Sequence, residues 1–190
     1  MNKKQLHIGL IYGSARQGRF CDTIAQWVLA HIVKDSTFSV DTLDPKQLNL
    51  PYDLPPSDDE ATMAFKSRLA ACDAFIVVTP EYNHGYPAPL KVLIDAAKKE
   101  WQRKPVAFVS YGGISGGLRA VEQLRQVFAE LHSVSMRDSV SFANPWELFD
   151  SSGNLKQAEP LSNNLDFMLE HLKWWGQALR RARHEVPAAP

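Results

Sequence analysis

The chain has 190 residues, 45% hydrophobic and 22% charged, a length and balance that suit one soluble domain with a full core. Its 21 Lys and Arg match its 21 Asp and Glu, and a net charge of zero argues against nucleic acid or an anionic membrane as a partner. No apolar run approaches the roughly twenty residues that cross a bilayer, and Met1-Asn2-Lys3-Lys4-Gln5 runs straight into the first expected strand, without room for a signal peptide. Cys21 and Cys72 match no zinc or CxxC spacing. The expectation is a cytoplasmic protein with reduced thiols and no metal.

Strands and helices alternate along the chain. Leu6 to Tyr12 reads as a buried strand, and from Phe20 the apolar residues Phe20, Ile24, Trp27, Val28, His31 and Ile32 follow a helical spacing. Phe38–Leu43 alternates like a half-exposed strand near a sheet edge. Asp44 to Ser57 is a Pro-rich loop, and Ser57-Asp58-Asp59-Glu60 supplies the cap and acidic first turn of a helix carrying Met63, Phe65, Leu69 and Ala70. Ala74–Val78 is a strand buried on both faces. A helix is expected from about Ala88 through Trp101, a strand over Pro105–Ser110, and a helix through Leu118, Val121, Leu124, Val127, Phe128 and Leu131. A weaker strand over Ser139–Phe142, a long polar loop from Asn144 to Pro160 and a helix from about Leu161 to Arg183 complete one domain over 1–185, with 186–190 as a flexible tail.

Such an alternation predicts an α/β fold: a flavodoxin-like three-layer sandwich around a five-stranded parallel sheet in the order 2-1-3-4-5. Ligands of these sheets bind beyond the carboxyl ends of the strands, at the switch point, where the loops after strands 1, 3 and 4 converge.

Those three loops are the chemically unusual ones. Gly13-Ser14-Ala15-Arg16-Gln17-Gly18-Arg19 leads into a helix N-terminus, where unpaired amides and the helix dipole attract an anion. Arg16 and Arg19 add planar donors for phosphate oxygens, although the segment also reads as a plain turn with two solvated arginines. Thr79 to Pro89 holds two tyrosines, a histidine, an asparagine and three prolines, a stiff aromatic wall suited to a planar heteroaromatic ring or a rigid cover for a helix end. Tyr111 to Gly117 has four glycines in seven positions, so a ligand can approach its main chain, or the segment is a hinge. None is a GxGxxG or Walker loop. An anion pocket beside a flat aromatic pocket matches FMN. Cys21 at a helix start reads as packing or as a redox thiol, and Cys72 as core.

On Gly13-Ser14-Ala15-Arg16, Pro80-Glu81-Tyr82-Asn83 and the glycine-rich segment after Tyr111, the chain resembles the NADPH-dependent FMN reductases, the flavodoxin-like group of quinone, chromate and azo-dye reductases. The resemblance covers Leu6 to about Phe142. It implies that Ser14, Arg16 and the amides of Gly18, Arg19, Phe20 and Cys21 hold the FMN phosphate. Pro80, Glu81, Tyr82 and Asn83 then line the ribityl chain and ring, and Tyr111, Gly112 and Gly113 contact its pyrimidine side. Arg19 and Cys21 stand where many members carry Ser and Asn, which leaves Arg19 and backbone amides to supply phosphate bonds; Val92 stands where Asn is frequent. His84, Gly116 and Arg119 are the candidates for substrate or nicotinamide contact, and Glu81 is read as a structural carboxylate. The implied activity is hydride transfer from NADPH or NADH through flavin N5 to a quinone, flavin or similar small acceptor, with no catalytic side chain required. The implied assembly is a homodimer or homotetramer. A flavodoxin-type electron carrier, or a non-flavin protein binding another phosphate ligand, are the competing readings.

Overall fold

The computed structural model describes residues 5–53 and 59–186. Met1 to Lys4, Ser57 and Asp58 of the expected helix cap, and residues 187–190 of the expected tail lie outside them. The elements are β1 (Leu6–Tyr12), α1 (Cys21–Ile32), β2 (Phe38–Leu43), α2 (Glu60–Ala71), β3 (Ala74–Pro80), α3 (Ala88–Asp95), a 3-10 turn (Lys99–Trp101), β4 (Pro105–Gly112), α4 (Leu118–Glu130), β5 (Val134–Ala143), α5 (Pro145–Leu148) and α6 (Glu159–Glu185). All strand pairs are parallel and the order is β2-β1-β3-β4-β5, as expected.

Alternation within each strand sorts the core into two layers. Leu6, Ile8, Leu10, Ile76, Val78, Ala107, Val109 and Tyr111 face α1 and α6. Ile11, Phe75, Val77, Val106 and Phe108 face α2, α3 and α4. Each fully buried large side chain contributes ~1.5–3 kcal/mol. α1 buries Cys21, Ile24, Ala25, Val28 and Ile32, one stripe of a helix against the sheet.

Several boundaries differ from expectation. Helix α3 stops at Asp95 rather than running to Trp101. The Trp101 indole folds back, fully buried, and its Nε1–H donates to the carbonyls of Ile94 (3.0 Å) and Ala97 (3.1 Å) at and just beyond the end of α3. Strand β5 begins at Val134, not Ser139, because an edge strand tolerates the polar residues Ser135, Arg137 and Asp138; a bulge opposite Val106–Phe108 absorbs the irregularity. The polar segment after β5 contains α5, entered through Asn144 at φ 48° and Pro145, and returns Phe149 to the core against Phe20 and Phe142. α6 starts at Glu159, with Pro160 in its first turn, and ends at Glu185. At α2 it is Asp59 that caps, accepting from the Thr62 N–H at 2.8 Å.

Candidate functional site

The register carries Tyr12, Pro80 and Gly112 to one end of the sheet, so the loops after β1, β3 and β4 emerge together. Loop 13–20 leaves β1 pressed against β3. The Gly13 N–H donates to the Val78 carbonyl at 2.7 Å, and a Cβ at Gly13 would sit 2.7 Å from that oxygen and 2.9 Å from Thr79 Cα. Only glycine lets the backbone pass there. Ser14 is fully buried, and its hydroxyl bonds the Tyr82 hydroxyl at 2.9 Å and accepts from the Arg16 N–H at 3.2 Å. The exposed Arg16 guanidinium lies 5.7 Å from the Tyr82 ring centroid, with no carboxylate paired to it among the described residues. Beyond it α1 begins with no side-chain cap. Its leading N–H groups, from Gly18 through Thr23, bond no acceptor among the described residues, which leaves an open cradle for an anion.

Arg19 departs from the expectation that its side chain donates to phosphate. Its guanidinium is buried and forks onto Asp44, Nη1 to Oδ1 at 2.7 Å and Nη2 to Oδ2 at 2.5 Å. Nε reaches Asp22 at 2.8 Å, and Nη1 also donates to the Ser14 carbonyl. The hydrogen bond it donates to Asp44 holds the guanidinium well above its ordinary pKa despite burial. Burial pushes the Asp44 carboxyl up, but Arg19 and the Lys46 N–H outweigh it and hold it below the usual range. The donors of Arg19 are thus spent on the scaffold. Asp44 was not singled out in the sequence, although the signal existed: β2 neighbours β1, and Ile11 pairs with Leu43, so the residue after β2 lies beside the first loop.

Cys21 is fully buried and burial pushes its thiol up to about 11, which argues against the redox-thiol reading and leaves its backbone for a ligand. Tyr111 likewise turns its side chain into the α1 layer rather than the cleft. Its hydroxyl is buried with no hydrogen-bond partner, and burial raises its pKa.

The second loop closes in a tight turn, Tyr82 N–H to Gly85 carbonyl at 2.9 Å and Gly85 N–H to Tyr82 carbonyl at 3.2 Å, with Asn83 (φ 50°) and His84 (φ 74°) both left-handed at its tip. Both non-glycine residues are exposed there, a conformation of higher energy that the rest of the loop sustains. The Glu81 N–H donates to the Tyr111 carbonyl at 2.9 Å, and its carboxylate accepts from the Arg119 guanidinium (2.9 Å) and Arg119 N–H (3.1 Å). Burial raises the Glu81 carboxyl, but Ser115 and Arg119 outweigh it and keep it ionised, the structural part expected of it. Arg119 is therefore committed to Glu81. The Gly116 carbonyl is anchored by the hydroxyls of Ser110 (2.8 Å) and Ser141 (2.9 Å), which turns Gly116 into the scaffold, away from the role of substrate contact. Gly113 is exposed, and a Cβ there would meet nothing within 4 Å.

Ser14, Ala15, Arg16, Glu81, Tyr82, Asn83, Pro87, Ala88 and Pro89 line a cleft of about 650 Å³. The first two loops meet in it; the glycine loop adjoins through Glu81 rather than forming a wall. Among the described residues no group of three or more His, Cys, Asp or Glu is placed to hold a metal, and no helix is long and apolar enough to cross a membrane. The open amide cradle, the exposed Arg16 beside it and the aromatic cleft fit a ligand with a phosphate tail and a flat ring, as FMN has.

A flavodoxin-like sheet carrying this site defines the class: an FMN-dependent NAD(P)H oxidoreductase passing electrons to a small-molecule acceptor. Residues 6–147 match the NADPH-dependent FMN reductase family, and the chain belongs to it. It is 38% identical over 127 residues to an NAD(P)H-dependent FMN reductase of Schizosaccharomyces pombe, a match spanning 62% of this chain and 63% of that protein. It is 31% identical over 177 residues to 2-hydroxy-1,4-benzoquinone reductase of a Burkholderia species, covering 89% of this chain and 96% of the other. In structure it is similar to the NAD(P)H:(acceptor) oxidoreductase FerB of Paracoccus denitrificans, with a TM-score of 0.74 and 21% identity over 90% of this chain and 98% of that one.

Proposed function

We propose that the three-loop site holds FMN with its phosphate on Arg16 and the amides from Gly18 to Cys21, and that the acceptor is a quinone, a free flavin or a similarly small, flat oxidant. The single observation that carries this reading is the cradle at the start of α1, whose leading N–H groups lack acceptors, beside the cleft walled by Tyr82. When bound, FMN supplies two-electron transfer between NAD(P)H and the acceptor.

The chain's own residues bind and orient. Ser14 holds the Tyr82 hydroxyl, so the phosphate loop and the aromatic wall keep one spacing. Pro80 through Asn83 would hold the ring of a bound FMN, with the main chain of Gly112 and Gly113 as further contacts. Glu81, held by Arg119, fixes the aromatic loop to the start of α4. His84, exposed at the turn tip, stands where an incoming acceptor passes. Homologues named for quinone reduction support the quinone choice. The described residues through Glu185 act as one unit, in the cytoplasm, where Cys21 and Cys72 stay reduced. The working form is a homodimer or homotetramer.

The test is optical. The purified protein should be yellow or bind added FMN, bleach with NADPH or NADH under anaerobic conditions, and recover its colour when a benzoquinone is added. Persistence of the colour with both nucleotides in excess overturns the reading in favour of an electron carrier; refusal of FMN overturns it altogether.

A further inference from the structure

Helix α6 packs Leu165, Met168, Leu169, Leu172 and Gly176 onto the sheet. Its opposite side is not the solvated surface that such a helix ordinarily presents. Phe167 is 52% exposed, Trp174 63% and Trp175 38%. The Phe167 ring packs on His171 at 4.2 Å, and the two indoles pack on each other at 5.1 Å, so neighbouring side chains on the helix group this bulk without covering it. Exposed aromatic area of this kind marks an association surface.

The charges along the same side say what fits. Asp166 and Glu170 lie toward its start and Arg181 lies about three turns further on, all exposed. None of the three has an ion-pair partner among the described residues, whereas Lys173 on the flank pairs with Asp35 at 2.8 Å. We propose that this stripe pairs with the same stripe of a second copy of the chain, the two helices antiparallel about a twofold axis at Trp174. At helical spacing, such an axis sets Arg181 of one copy opposite Phe167 of the other, between Asp166 and Glu170. Each guanidinium then meets an aromatic face and two carboxylates. The two Trp174 side chains meet on the axis, as a self-complementary interface requires. A parallel arrangement would set Glu170 against Glu170 and Arg181 against Arg181. The proposal deepens the assembly reading above and rests on it, by naming the face that associates.

The experiment is light scattering behind size exclusion on the full-length protein and on Glu170→Arg, Arg181→Glu and the double swap, with circular dichroism to check folding. The expected result is a wild-type multimer, a halved mass or at least tenfold weaker association in each single variant, and recovery in the double swap. Trp174→Cys should form an interchain disulfide under mild oxidation, since Cys21 and Cys72 are buried and silent. A monomeric wild type overturns both this proposal and the assembly reading. A multimer indifferent to either single reversal, or a double swap that does not recover, overturns this face alone.

Discussion

Arg19 and Asp44 form a two-pronged ion pair, 2.7 and 2.5 Å long, that ties the first loop to the end of β2. Both side chains are almost wholly buried, so the pair acts as a brace beneath the anion cradle rather than as part of it. Breaking such a pair leaves the buried Arg19 guanidinium with only the exposed Asp22 carboxylate opposite it, which costs far more than the pair is worth against an apolar replacement. Asp44→Ala should therefore lower stability by about 3 kcal/mol and release the cradle. Urea denaturation and FMN titration of the same variant check both effects.

Arg16 behaves in the opposite way. It is exposed and unpaired by any carboxylate among the described residues, so its loss leaves the fold intact. A charged hydrogen bond to phosphate contributes ~1.5–3 kcal/mol. Arg16→Ala should weaken FMN binding by about tenfold or more with an unchanged melting temperature of the apoprotein, read by fluorescence quenching on titration. Arg19→Ala should instead destabilise the apoprotein, and a comparison of the two separates ligand from brace.

Gly13→Ala places a methyl group 2.7 Å from the Val78 carbonyl oxygen and 2.9 Å from Thr79 Cα. Neither atom can swing aside, because both belong to the backbone of a central strand. Overpacking of this kind costs ~1–3 kcal/mol. Loop 13–20 should be displaced from β3, with weaker flavin retention as well as a lower denaturation midpoint.

Lys104 provides a pH test. Its ammonium is buried at the far end of the sheet, donating to the carbonyls of Leu69 (2.7 Å) and Ala70 (3.1 Å) where α2 ends. Burial lowers its pKa from 10.5 to about 8. Below pH 8 both folded and unfolded chains carry the proton, and the cost of burying the charge stands in full. Between about pH 8 and 10.5 the unfolded chain holds more protons, so stability rises with pH. Cys72 opposes this, since burial raises its thiol to about 12 and the folded chain there holds the extra proton. Lys104→Met shares the thiol effect and removes the lysine one. The stability of wild type relative to Lys104→Met should therefore increase from pH 8 to 10.5; a constant difference across that range would contradict the assignment.

Much of the architecture was legible in the residues themselves. Short apolar runs such as Ala74–Val78 read as strands buried on both faces, and their alternation with amphipathic helices implied a parallel sheet and its switch point. The motifs at Ser14, Arg16 and Tyr82 mark the walls of the cleft because local sequence sets strand ends and helix starts. The misplaced boundaries were those that side-chain bonding or strand pairing decides rather than periodicity. Trp101 continued the helical spacing of α3, yet its indole found better use as a donor to carbonyls at the end of that helix.

The amino-acid sequence by itself determined which segments pair and stack, and that three unusual loops share one end of the sheet, since backbone periodicity and burial depend on neighbours along the chain. The tertiary structure alone decided where each polar group points. It turned Arg19 inward to Asp44, committed Arg119 to Glu81, drew Tyr111 into the core and left Arg16 and the α1 amides facing outward. A charged side chain several bonds long goes wherever a partner compensates its burial, and that partner becomes a neighbour only after the chain has folded.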